Sequence, residues 1–160
     1  MKLDQEAPRL LRVIIHARDG GIGDTIENRA NLVERWVDVV VCPADEDDVL
    51  AIVRAAVELD VVLIPFGGGS NIAGSLEPIA GETRPVVSVD MGRLRSVISI
   101  DDDSRLARIQ AGSMGPDLEE QLASKGWTLG HFPDSFTHSS VGGWAAARSS
   151  FRSLNRAGWR

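Results

Sequence analysis

The chain has 160 residues, of which 43% are hydrophobic and 25% are charged, with a formal net charge of −6. This composition is typical of a globular domain, and the acidic balance argues against a general nucleic-acid binder. One cysteine excludes an internal disulfide framework and a cysteine-based metal site, and no stretch approaches the roughly 20 apolar residues that cross a bilayer.

The first 35 residues form a segment of mixed composition, interrupted by a glycine-rich break at 19–23. Asp4 and Glu6 stand where a secretory signal would carry only positive charge, so we expect a protein that remains in the cytoplasm. We treat 1–35 as an N-terminal segment separate from the domain that follows.

A strand and then a helix are predicted next. The β-branched run 36–41 is typical of a strand, and Pro43 bounds it. The acidic run 44–48 favours a helix start, because negative charge stabilises that end of a helix and Asp45 can cap it. The same acids could bind a metal, but we prefer a capped, solvated helix start and expect no metal. One buried helix face is predicted up to about Leu59, formed by Val49, Ile52, Val53, Ala56 and Val57.

Short apolar runs predict the remaining strands. The run 61–64 is typical of a strand buried on both faces, and we expect Pro65 to end it. Three further strands are predicted, with a polar hairpin turn at 101–104 between the last two; they cover 86–90, 97–100 and 106–111.

Two more helices are predicted in the second half of the chain. Pro116 fits the first position of a helix, and Gly126 fits the position just past its end. The pair Gly142-Gly143 is expected to precede a final helix that starts at Trp144. Helices and strands do not alternate regularly, so we expect an α+β fold.

A glycine-rich loop, Pro-Phe-Gly-Gly-Gly-Ser-Asn at 65–71, directly follows a predicted buried strand. Three consecutive glycines let the backbone turn sharply and aim successive N–H groups into one concavity, which suits a phosphate. Ser70 and Asn71 add side-chain donors. The glycines are contiguous and no lysine follows, so this is neither a dinucleotide fingerprint nor a Walker A loop. A tight connection without ligand remains the alternative.

A second segment, 130–144, brings hydroxyl groups, two glycines and a helix start together. Its hydroxyl side chains and the N–H groups of the helix start could bind a phosphate, a ribityl chain or the edge of a flavin. Taken in isolation, the segment could equally be a structural loop.

Together, the two segments resemble a known family. The glycine loop is followed by Gln-Ala-Gly before a helix, then by Leu-Gly-His-Phe-Pro-Asp-Ser and Ser-Val-Gly-Gly-Trp. This order is similar to the FAD-binding PCMH-type domain of vanillyl-alcohol-oxidase-like flavoproteins. The resemblance covers 38–150 and is strongest to the alkyldihydroxyacetonephosphate synthase (alkylglycerone-phosphate synthase) branch. The glycine loop is shared more widely, including with glycolate-oxidase-type subunits.

The resemblance implies FAD as cofactor and assigns site residues by position. The glycine loop matches the family's pyrophosphate-binding loop, 133–139 matches the segment around the flavin, and 146–149 matches a further contact. The implied FAD-binding residues are Pro65, Phe66, Gly67, Gly68, Gly69, Ser70, Asn71, Pro133, Asp134, Ser135, Phe136, Thr137, His138, Ser139, Ser140, Gly142, Gly143, Ala146, Ala147, Arg148 and Ser149.

The chain departs from the family pattern at a few positions. The family usually has Thr-Ser where this chain has Ser70-Asn71, and serine in place of threonine keeps the hydroxyl group. His138 stands where relatives often carry an aromatic residue. The pyrophosphate loop contains no histidine, the residue through which some relatives attach FAD covalently, so we expect non-covalent FAD.

The resemblance fades after residue 150. We therefore expect 36–150 to be an incomplete FAD-binding domain and 151–160 a divergent tail. The family's catalytic residues lie beyond the matched part, so we expect no catalytic residue here and no activity of the chain alone. Of three interpretations, the first is preferred and the other two are alternatives. The chain belongs to an ether-lipid synthase acting on a lipid-like substrate, to an FAD-dependent dehydrogenase of 2-hydroxy acids, or to a non-catalytic remnant.

Overall fold

A computed structural model of the chain describes residues 35–149. The N-terminal segment predicted over 1–35 lies outside the described residues except for Arg35, and the tail predicted over 151–160 lies outside them entirely. Helices and strands are mixed as expected for the predicted fold class. Within 35–149, no helix combines the length and the apolar character that a membrane crossing needs.

A three-stranded parallel sheet forms the first half of the described chain. Its strands are β1 (Val39–Val41), β2 (Val62–Phe66) and β3 (Val86–Asp90), in the order β1-β3-β2. β3 is central and well buried, as its valine content favours. A helix, α1 (Glu46–Glu58), connects β1 to β2. These strands run in the same direction on opposite sides of β3, so a tight turn cannot join them.

Two strand boundaries differ from the predictions. The strand predicted over 36–41 forms only at its last three residues. The expectation that Pro65 ends β2 is wrong, since the pairing continues with Pro65 opposite Val89 and Phe66 opposite Asp90. β2 is an edge strand of the described sheet, and a proline without an N–H is tolerated at such an edge.

Helix α1 begins as predicted but buries less than predicted. Asp45 accepts a hydrogen bond from the backbone N–H of Asp48 at 2.9 Å, which confirms the cap. Of the predicted apolar face, Ala56 is buried, whereas Val53 and Val57 are 45% and 79% exposed. The predicted face is therefore wrong for these two valines, because the described part of the chain packs against only one edge of α1.

An antiparallel hairpin and two helices form the second half. The hairpin pairs β4 (Val97–Asp101) with β5 (Leu106–Ile109), and the predicted turn lies between them. β5 stops two residues before its predicted end at 111. The helix α2 (Gly115–Ala123) begins one residue before the predicted first position, so Pro116 is its second residue. Gly126 follows the helix, as predicted, with a φ of +80°.

The last described helix, α3 (Val141–Ala146), starts earlier than predicted. Ser140 caps it by accepting a hydrogen bond from the N–H of Gly143, so Gly142 and Gly143 lie inside its first turn and not before it. Trp144 of α3 packs with Leu118 and Leu122 of α2 in a buried cluster that also covers the inner face of the hairpin.

Candidate functional site

The glycine loop leaves the carboxyl end of β2, the edge at which open parallel sheets bind ligands. Buried Phe66 anchors its start, and Gly69 has a φ of +67°, a conformation that side chains disfavour. Asn71 closes the turn by accepting a hydrogen bond from the N–H of Ala73 at 2.7 Å.

Three successive backbone donors of this loop have no partner within residues 35–149. Neither Gly68, Gly69 nor Ser70 donates its N–H to any group of the described chain. Consecutive unpaired N–H groups around one left-handed residue form an anion-binding concavity. The loop therefore offers what the sequence predicted, a set of backbone donors suited to phosphate oxygens.

The glycine loop lies directly against the second predicted segment. A Cβ on Gly68 would overlap the carbonyl oxygen of His138 and stand 2.6 Å from its carbonyl carbon. A Cβ on Gly67 would overlap Oγ of Ser140. We call this contact of 67–68 with 138–140 the glycine seam; it requires glycine on the loop side and brings the two predicted segments into one site.

The second segment is held in a compact shape by its own hydrogen bonds. A short 3-10 helix spans Phe136–His138, and its two flanking serines are joined because the Ser139 hydroxyl donates to the carbonyl oxygen of Ser135 at 2.8 Å. Ser139 and Ser140 are buried, whereas the side chains of Asp134, Thr137 and His138 are exposed. The polar side chains of these exposed three are therefore accessible to a ligand.

The N–H groups at the start of α3 are already used within the protein. Val141 donates to the carbonyl oxygen of Ser113 at 2.9 Å, and Gly142 donates to that of Ala111 at 2.8 Å. The remaining donor of the turn, Gly143, is bound by Ser140. These N–H groups therefore have protein acceptors in the described part of the chain. Packing is the reason Gly142 is glycine, since a Cβ there would stand 2.8 Å from Ala111.

The last predicted site residues lie at the end of α3. Ala146, Ala147 and Arg148 are exposed, and the chain turns at Arg148 with a φ of +50°. Ser149 returns a hydrogen bond to the carbonyl oxygen of Trp144 at 2.9 Å.

Sequence reasoning missed a hydrogen-bonding role for Trp144. Its indole Nε1–H donates to the Ser139 hydroxyl, and its ring packs edge-on against His131 at 4.9 Å between centroids. The two partners lie five residues apart on either side of a helix start, a spacing that no helix or strand period marks. No pattern in the sequence could have found this pair.

Comparison with known proteins identifies relatives of this arrangement. A family described as "FAD binding domain" matches residues 37–159. The alkyldihydroxyacetonephosphate synthase of Dictyostelium discoideum is 43% identical over 147 residues, and that of Trypanosoma brucei brucei is 42% identical over 131 residues. These matches cover 92% and 81% of this chain, respectively, but only 24% and 21% of the relatives.

A solved structure agrees with the sequence matches. Alkyldihydroxyacetonephosphate synthase superposes on this chain with a TM-score of 0.84 at 43% identity. The superposition covers 88% of this chain and 27% of the solved one. The chain thus spans about a quarter of the length of the proteins it matches.

Proposed function

Because the chain belongs to the FAD binding domain family and FAD is its cofactor, we propose that the glycine loop binds the pyrophosphate of FAD. We further propose that 133–149 contacts the flavin half. Bound FAD supplies the reactive ring, and the protein supplies binding and orientation. The observation that carries this proposal is the row of unpaired N–H groups at Gly68, Gly69 and Ser70.

The residues of the loop fit a pyrophosphate. Backbone N–H groups are neutral donors that bind phosphate oxygens closely when no Cβ stands in the way. Ser70 adds a hydroxyl beside them, and the loop is only half-buried, so it is accessible to a ligand. Pro65 and Phe66 hold its first end, and the Asx turn of Asn71 holds its second.

On the flavin side, exposed polar groups support the assignment of 133–139. Asp134 and Thr137 could bind ribityl hydroxyl groups. Thr137 lies in the 3-10 helix, and the hydrogen bond from the N–H of Phe136 to the carbonyl oxygen of Pro133 closes the turn that contains Asp134. Buried Ser139 and Ser140 support the seam from behind, and we assign them to shaping the site. Gly142 and Gly143 belong to the site through their small size, because their N–H groups are bound within the protein. The exposed end of α3 at 146–149 would be the outermost contact.

We also propose that FAD is bound without a covalent link. The loop 65–71 contains neither histidine nor cysteine, so it offers no such nucleophilic side chain for covalent attachment. The amide and hydroxyl groups present there are hydrogen-bonding groups.

The wider activity follows from the relatives. The two relatives described above are alkyldihydroxyacetonephosphate synthases, so we propose that the protein takes part in ether-lipid formation on a lipid-like substrate. The alternative, a dehydrogenase of 2-hydroxy acids, uses the same kind of cofactor site but oxidises a different substrate.

Titration of the purified chain with FAD tests the proposal, with circular dichroism to confirm folding. We expect flavin fluorescence to be quenched, ADP to compete because it carries the pyrophosphate, and riboflavin to bind more weakly. Acid precipitation should release all flavin into the supernatant. Tight binding of NAD with no response to FAD would contradict the proposal. With FAD present, we expect the chain alone to show neither alkyl exchange on acyl-dihydroxyacetone phosphate nor dye reduction on 2-hydroxy acids. Turnover in either assay would contradict that expectation and identify the activity.

A further inference from the structure

The indole of Trp144 makes a buried hydrogen bond beside the glycine seam. Trp144 is 7% exposed, and its Nε1–H donates to Oγ of Ser139 at 2.5 Å. Ser139 is 4% exposed, and its own hydroxyl donates to the carbonyl oxygen of Ser135 at 2.8 Å. Since Ser135 and Ser139 flank the 3-10 turn at 136–138, two hydrogen bonds in series tie α3 to that turn.

Packing alone does not require this bond. The indole stacks on Phe136 at 6.3 Å and contacts His131 edge-on at 4.9 Å, and a phenylalanine ring would keep most of this contact. What a phenylalanine ring would lack is the indole N–H, which fixes the orientation of the Ser139 hydroxyl. Because the indole nitrogen can only donate, it obliges the Ser139 hydroxyl to accept, which leaves that hydroxyl's proton for Ser135.

Ser139 in turn supports the glycine loop. A Cβ on Gly68 would stand 3.0 Å from the Cα of Ser139 and would overlap the preceding carbonyl oxygen, that of His138. The backbone at 138–139 therefore forms the surface on which the loop lies. A shift of this backbone would move the three donors of the loop, because Gly68 and the backbone of 138–139 leave no room between them for even one added carbon atom.

We infer that Trp144 is a positioning residue for cofactor binding, which acts through Ser139 and does not touch the ligand. The inference rests on the proposed function, since it assigns Trp144 to the shape of the loop that binds FAD. It adds a residue that the sequence-based site does not contain.

The test is Trp144→Phe in the full chain, with Trp127→Phe as the matched control. Trp127 donates its Nε1–H to the Asp102 carboxylate at 2.9 Å beside the hairpin turn, and its ring also packs on the α2 cluster. The control therefore removes an indole hydrogen bond, here to an exposed carboxylate, from a ring that packs on the same cluster but lies away from the seam. FAD affinity is measured by fluorescence titration, and stability of the ligand-free chain by urea unfolding.

We expect Trp144→Phe to raise the Kd for FAD about tenfold, the size of one lost hydrogen bond. Trp127→Phe should lower the unfolding midpoint and leave the Kd unchanged. Ser139→Ala, which removes both bonds, should weaken FAD binding at least as much as Trp144→Phe, and the double variant should bind no more weakly than Ser139→Ala.

Each outcome separates the inference from the proposed function. If the unaltered chain does not bind FAD, both fail. If it binds FAD and Trp144→Phe binds equally well, or if both tryptophan variants shift the Kd alike, the inference alone is overturned. Should Trp144→Phe not fold, Ser139→Ala keeps the indole packing, and an unchanged Kd for that variant overturns the inference in the same way.

Discussion

Gly68 lies against the carbonyl group of His138, so closely that a single added methyl group would overlap the oxygen. The two residues belong to segments that are far apart in the chain, and each segment alone is compatible with a loop that binds nothing. Their contact makes one site, because it places the unpaired N–H groups of 68–70 beside the exposed polar side chains of 134–138.

Gly68→Ala should weaken FAD binding at least about tenfold, since overpacking at a rigid contact costs roughly 1–3 kcal/mol. The carbonyl of His138 is backbone and cannot rotate away. Gly74→Ala is the matched control, because Gly74 has a φ of +70° but open space around it, so only backbone strain is introduced. The control should lose stability and keep its FAD affinity. A folded Gly68→Ala with full affinity would show that the loop is a plain connection.

Gly67→Ala and Ser140→Ala should compensate each other in part. The Cβ added at position 67 meets Oγ of Ser140 first, whereas the Cβ of that serine stands 3.2 Å away. Removing the hydroxyl costs about 1 kcal/mol for the lost cap of α3 but makes room for the alanine. Urea unfolding of the two single variants and the double variant should show non-additivity of about 1 kcal/mol in favour of the double. Strict additivity would mean that the two residues do not meet.

Asp38 should make stability depend on pH below about pH 4, near the pKa of a free aspartate. Its carboxylate accepts hydrogen bonds from the Arg35 guanidinium at 2.6 Å and from the N–H of Val86 at 2.7 Å, and these bonds hold its pKa below the usual range. A depressed pKa in the folded state means that the unfolded state takes up the proton first as pH falls. The stabilisation of the folded chain by the Asp38 carboxylate is therefore complete above the pKa of the unfolded state. It is lost as pH falls through the pKa of the folded state.

Asp38→Asn should accordingly lower the urea unfolding midpoint at neutral pH. In acid, the midpoint of this variant should decrease less with falling pH than that of the unaltered chain. Asp103→Asn changes the same charge at an exposed position of the hairpin turn and should leave the profile nearly unchanged. Parallel acid profiles for Asp38→Asn and the unaltered chain would contradict the assignment.

Asp45→Ala should destabilise the chain by about 1 kcal/mol, because the N–H of Asp48 loses its acceptor at the start of α1. Asp45→Asn keeps an acceptor oxygen in the same place and should cost much less. Arg108→Ala, which breaks the exposed ion pair with Glu46 at the same end of the helix, should cost less than the cap. Unfolding free energies of the three variants check this order, and equal losses would refute it.

Local patterns were enough to predict most elements of this chain. The cap at Asp45, the hairpin turn between β4 and β5 and the end of α2 before Gly126 all appear where their residues predicted them. These features depend on hydrogen bonds and backbone preferences among residues that are close in sequence, so the residue order specifies them directly. The family resemblance went further and named FAD, because a cofactor-binding motif is itself a local pattern.

Contacts between segments that are distant in the sequence could not be predicted from local patterns. The order β1-β3-β2, the exposure of Val53 and Val57, and the use of the α3 donors by Ala111 and Ser113 each depend on which surfaces meet. The glycine seam is another relation of this kind, since no residue near Gly68 in the sequence indicates that the carbonyl group of His138 will lie against it. Contacts of this kind are decided by packing of the whole domain, in which a few tenths of an ångström separate a fit from an overlap.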